Sequence, residues 1–127
     1  MLNHRLTSCD EPVTALASLP VGGAFRYWRG RSGRRYLHTV YALTDWPGYA
    51  QANVIFVARQ GDHRNVVWIG RADGDGDSDG DMAALMTRMT RLGATEVHVH
   101  LLAGSLRART AVEADLRAAQ PIMRLVK

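Results

Sequence analysis

The sequence predicts an α+β domain, a small and mainly antiparallel central sheet flanked by two helices. Three observations carry that expectation. Residues 54–58 and 66–69 are short runs of β-branched and aromatic residues joined by a polar hexapeptide, residues 60–65, and such a pattern reads as a β-hairpin. Met82, Leu85, Met86, Met89 and Leu92 recur at helical spacing, as do Ala108, Val112, Leu116 and Ala119. A chain of 127 residues, 46% hydrophobic and 22% charged, suits one globular domain with its own core.

Taken in order, residues 1–23 read as a loosely ordered N-terminal arm and residues 24–127 as a single domain. Asp10-Glu11-Pro12 is placed to open a short helix, since proline is tolerated in a first turn, and Pro20 with Gly22-Gly23 would end it. Residues 24–43 predict an N-terminal β-hairpin added to the core. Its strand-like runs, 25–29 and 34–43, flank the turn sequence Gly30-Arg31-Ser32-Gly33. Asp45-Trp46-Pro47-Gly48 then turns the chain into the hairpin of residues 53–70. Neither strand of that hairpin alternates cleanly, so both are expected at the centre of the sheet, buried on both faces.

The predicted helix over 81–92 stops at Gly93. Residues 95–102 alternate as a strand does, with Glu96, His98 and His100 on one face and Val97, Val99 and Leu101 on the other. Ser105 is placed to cap a last helix over 106–119, ended by Pro121. On that helix Glu113 borders the apolar stripe, with Arg109 and Arg117 one turn away as ion-pair partners.

Charge narrows the function. The net charge is +4, yet five of the twelve acids fall in the short loop from Asp73 to Asp81. The rest of the chain sets sixteen basic residues against seven acids, a balance of +9, and all but one of those bases are arginine. A basic body suits a polyanionic partner, with nucleic acid the leading candidate. Arg26, Arg29, Arg31, Arg34 and Arg35 cluster with Tyr27, Trp28 and Tyr36, a mixture that can hold phosphates while rings stack on bases. The same mixture also suits a solvated edge hairpin. No apolar run reaches membrane-spanning length, and residues 1–20 lack the apolar segment of a secretory signal. The single Cys9 forms no internal disulfide, so a cytoplasmic chain without a membrane partner is expected.

Two stretches raise the question of metal. Asp75, Asp77, Asp79 and Gly80 match the opening of a calcium loop, but its twelfth position is Met86 where a bidentate glutamate belongs. A flexible acidic loop whose last Asp caps a helix is the preferred reading. His98 and His100 can chelate a metal, with Glu96 or His38 completing the set, or can line a hydrogen-bonded sheet face. The second reading is preferred, because no fixed ligand spacing exists elsewhere.

Four short segments bear on catalysis. Val54-Ile55-Phe56 is followed, after eleven residues, by Trp68-Ile69-Gly70. Leu85-Met86-Thr87-Arg88-Met89 lies on the first helix, and Glu113-Ala114-Asp115-Leu116 on the second, with Pro121 downstream. In order and spacing, residues 53–121 resemble the GIY-YIG nuclease superfamily, with its GIY and YIG triplets, its helical L-x-x-R-(L/V) and its E-x-x-L…P. The resemblance implies a metal-dependent endonuclease in which Glu113 holds Mg or Mn and Arg88 stabilises developing charge. Phe56 and Trp68 stand at the family's tyrosine positions, and neither can transfer a proton. Val54 replaces the first glycine, Ile122-Met123-Arg124 stands where an asparagine is usual, and the acidic loop is a long spacer.

A nucleic-acid-binding protein with a catalytically degenerate GIY-YIG-like fold is therefore expected. Two alternatives stay open. One is an active nuclease using Tyr41, His38 or His63 as a substitute base, and the other is a protein-interaction domain. Arg88 and Glu113, each bordering an apolar stripe, are expected on the same side of the central hairpin.

Overall fold

The computed structural model describes residues 10–12, 24–46, 48, 51–72 and 79–120. Among the described residues six strands, β1 (Asp10–Pro12), β2 (Ala24–Arg29), β3 (Arg35–Ala42), β4 (Ala52–Gln60), β5 (His63–Ala72) and β6 (Glu96–His100), form one sheet. Its order is β1-β2-β3-β6-β4-β5, with every pairing antiparallel. Helices α1 (Asp79–Arg91) and α2 (Leu106–Ala118) complete an α+β fold. Among the described residues no helix is long and apolar enough to cross a membrane.

β4 decides the layering. Residues 52–57 are all buried, as a strand covered on both faces requires. Its alternation sends Val54 and Phe56 to one face, where they meet Val97, Val99, Met89, Leu85 and Met86 beneath α1. Ile55 and Val57 point the other way, to Trp28, Ile69, Val112 and Leu116 beneath α2. The two helices thus cover opposite faces of the sheet.

The helix ends follow local chemistry. Ser105 accepts a hydrogen bond from the Ala108 amide at 3.1 Å and so starts α2. α1 ends in a Schellman motif. The Ala94 amide donates to the Met89 carbonyl and the Gly93 amide to that of Thr90, both at 3.0 Å, while Gly93 takes a φ of 96°. Met89 and Ala94 are both buried in the core, adding the apolar contact that accompanies this motif.

Three expectations change. β5 lies at the edge of the sheet, not its centre, because β6 takes the other side of β4. The anticipated six-residue loop is a two-residue turn, Gly61-Asp62, in which Gly61 has a φ of 62° and Gln60 pairs with His63. Asp10–Pro12 is a strand paired with β2 rather than a helix opening, and the sheet edge is where a strand tolerates proline. The calcium reading of the acidic loop rests on residues 73–78 and, with the rest of the N-terminal arm, lies outside the described residues.

Candidate nucleic-acid interface

Pairing of β2 with β3 ends at Arg29 opposite Arg35, and residues 30–34 close the turn. The Gly30 amide donates to the Arg34 carbonyl at 2.8 Å and the Gly33 amide to the Gly30 carbonyl at 3.0 Å. Asp115 of α2 holds this turn from below. One carboxylate oxygen accepts from the Ser32 amide at 2.9 Å. The other accepts from Ser32 Oγ at 2.6 Å and from the Tyr36 hydroxyl at 2.7 Å. The Asp115 carbonyl takes the Arg31 amide at 3.1 Å. A Cβ on Gly30 would lie 2.1 Å from Asp115 Oδ2, so only glycine allows so close an approach.

These contacts set the charges of the clamp. Burial by itself would raise the Asp115 pKa, but the bonds from Ser32 and Tyr36 and the nearby Arg34 outweigh it and hold the pKa below the usual carboxylate range. Burial and the neighbouring Asp115 carboxylate push the Tyr36 hydroxyl above its ordinary value. The pair is therefore a neutral donor bonded to an ionised acceptor at neutral pH.

Four of the five sequence-predicted arginines, Arg29, Arg31, Arg34 and Arg35, are exposed at this end of the sheet. Arg29 donates to the Gly33 carbonyl at 3.3 Å, and Arg35 lies 4.8 Å from the ring centre of Tyr27. Arg26 is half-buried opposite His38 and belongs to the other face of the hairpin from Arg29 and Arg35. The aromatic partners differ from expectation. Trp28 is core, 1% exposed, and its ring cannot stack on a base. Tyr36 is committed to Asp115.

The proposed catalytic pair is not brought together. Arg88 is exposed on α1, and Glu113 is half-buried on α2, across the sheet from it. The shared side expected from their stripes is thereby corrected, since each stripe faces the sheet but from opposite sides. Glu113 Oε1 accepts from Arg71 at 2.5 Å and Oε2 from Arg117 Nε at 2.9 Å. Of its two expected partners Arg117 pairs with it, and the buried Arg109 donates to the Ala103 carbonyl at 3.3 Å. With both carboxylate oxygens facing guanidinium groups, Glu113 does not fit a divalent metal. Phe56 is fully buried, and Trp68 packs on it with ring centres 5.9 Å apart. Both belong to the core on the α1 face.

The Glu96, His98 and His100 face is buried and hydrogen-bonded. Trp28 Nε1 donates to His98 Nδ1 at 2.9 Å, and His98 Nε2 meets Glu96 Oε1 at 2.9 Å. An indole nitrogen can only donate, so Nδ1 must accept and Nε2 carries the hydrogen. Arg59 and Arg64 also reach Glu96, at 3.3 and 3.4 Å. Burial would raise the Glu96 pKa, yet His98 and the two arginines lower it to about 2. His38 and His100 donate from Nδ1 to the carbonyls of Tyr36 and Leu37, at 2.8 and 2.7 Å. Among the described residues no three His, Cys, Asp or Glu side chains are arranged to hold a metal ion.

Asp115 is the residue that sequence reasoning passed over. Its partners Ser32 and Tyr36 are 83 and 79 positions away, so no local spacing signals the contact. The one sequence-level hint is a serine inside a Gly-rich turn, a residue able to bond a distant carboxylate. Arg71 escaped notice for the same reason, as it meets Glu113 across 42 positions. No protein-family model matches the chain, and no curated protein or solved structure matches it either.

Proposed function

We propose that this chain binds nucleic acid through the arginine-bearing turn between β2 and β3 and does not cleave it. The observation that carries the reading is the exposure of Arg29, Arg31, Arg34 and Arg35 on one end of the sheet, around a turn fixed in place by α2. Guanidinium groups contact phosphates in planar, bidentate fashion, and phosphate contacts carry no sequence information. With Trp28 in the core and Tyr36 engaged, base stacking has little to draw on, and binding indifferent to sequence follows. The order β4, β5, α1, β6, α2 supports a GIY-YIG-like scaffold, and the separation of Arg88 from Glu113 counts against its chemistry.

Replacing Arg31, Arg34 and Arg35 together with Ala tests the reading by mobility shift over a range of salt. Binding should weaken for DNA and RNA alike, and the salt dependence should flatten by about 0.9 log units per lost duplex contact. Unaltered binding would reduce the turn to a solvated edge. Wild-type protein with magnesium or manganese should leave single strands and duplexes intact. Cleavage that disappears in Glu113→Ala would make the nuclease reading the right one.

A further inference from the structure

The geometry points to Asp115 as the positioning residue of the phosphate-binding turn, an acid that strengthens binding although its own charge repels phosphate. This rests on the nucleic-acid reading above. Asp115 is the wrong charge for its place, standing among Arg31, Arg34 and the exposed end of the hairpin. A carboxylate there lowers the attraction for a polyanion, so its contribution to binding must come from elsewhere. It accepts from the Ser32 amide, Ser32 Oγ and the Tyr36 hydroxyl, and its carbonyl holds the Arg31 amide. Ser32 Oγ in turn accepts from the Arg34 amide at 3.2 Å. Bonds from their backbone amides thus anchor Arg31 and Arg34, two of the four exposed arginines. A turn of glycines and polar residues would otherwise be ordered only when phosphate arrives, at a cost in conformational entropy. The clamp removes that cost from the binding step, as preorganisation does in general.

Charge and position make opposite predictions, and two variants separate them. Asp115→Asn and Asp115→Ala each raise the net charge by one, but only asparagine can keep the clamp, its Oδ1 accepting from the Ser32 amide and its Nδ2 donating to the Ser32 and Tyr36 hydroxyls. On a short labelled DNA duplex, Asp115→Asn should bind at least as tightly as wild type. Asp115→Ala should bind about fivefold more weakly than Asp115→Asn. Its salt slope should match wild type, because the same arginines still reach the phosphates; a mere loss of contacts would flatten it. Gly30→Ala, which drives a methyl into Asp115 at unchanged charge, and Ser32→Ala should each weaken binding in the same way. These two variants carry the test if Asp115→Ala does not fold. Equal binding by the Ala and Asn variants would show that Asp115 acts through charge alone and overturn this inference. A wild-type chain that does not shift the duplex would overturn the nucleic-acid reading itself.

Discussion

His98 shows how a single residue's hydrogen bonds can settle a functional question. Trp28 takes its Nδ1 and Glu96 its Nε2, so neither nitrogen is left for a metal. Glu96 is the counter-charge for the buried Arg64 as well as for Arg59. Glu96→Gln should therefore destabilise the fold by about 1–3 kcal/mol, because the carboxylate that accepts from His98 and faces the buried Arg64 loses its charge. Urea unfolding measures this, and a loss under about 1 kcal/mol would mean that Arg64 rehydrates. The same layer sets the pH response. Burial holds His38 well below the ordinary histidine value and lowers His100, the neighbouring imidazoles reinforcing the shift at His38. The unfolded chain then binds protons that the folded chain refuses, so acid favours unfolding from about pH 6.5 downward. Glu96, whose folded pKa is about 2, adds a second loss as pH falls from its unfolded value toward 2. Tyr36 is raised, so its contribution is present below pH 10 and is lost as pH climbs through its folded pKa. Melting temperature should be flat from about pH 7 to 9 and fall between 6 and 4. A flat profile down to pH 4 would contradict the buried, neutral histidines.

At the scale of the element, caps and edges matter more than propensity. Gly93 sits at a φ of 96°, where a side chain is strained, and Gly93→Ala should cost about 1 kcal/mol. Ser105→Ala removes the bond to the Ala108 amide and should cost about the same. Both are read from denaturant midpoints, and no change in either would mean that the helix ends are held by packing alone. β5 shows the opposite case, a strand whose sequence hides its place. Its apolar run resembles a central strand, yet its edge position brings charge to it. Arg117 crosses from α2 to donate to the Ile69 carbonyl and lies 5.9 Å from the Trp68 ring centre. Charged side chains of this kind keep an open edge from pairing with another chain. Most of the helical stripe and the caps Ser105 and Gly93 were legible in sequence because they depend on neighbours three or four positions away. Asp81, by contrast, lies inside α1 rather than capping it, and Leu92 is exposed beyond its end. β5's edge position was not legible, because it depends on where β6 pairs.

For the molecule as a whole, the placement of α1 and α2 on opposite faces governs what chemistry is available. Arg88 and Glu113 cannot act on one phosphate when a six-stranded sheet divides them. Glu113 instead ties α2 to β5 through Arg71. Glu113→Ala should leave metal-free nucleic-acid binding unchanged and lower stability by about 1 kcal/mol, since both arginines remain partly exposed. Millimolar magnesium should leave the wild-type melting temperature where it was. A rise of several degrees, absent from Glu113→Ala, would restore the metal site.

By itself the sequence located the main strands and both helices and showed which of their residues share a face, though not that Asp10–Pro12 is a strand. Val54 with Phe56, Glu96 with His98 and His100, and Val112 with Leu116 were all readable, because periods of 2 and 3.6 residues are local properties of the backbone. The exposed arginine turn was readable too, from glycine and charge. Only the tertiary structure decided which helix covers which face, that β6 enters between β3 and β4, and that Asp115 lies under Ser32. Those outcomes depend on strand pairing and on contacts some eighty positions apart in the chain. An alternating pattern carries the same signal whichever face of the sheet a helix comes to cover, so the layers became known only when the strands had found their neighbours.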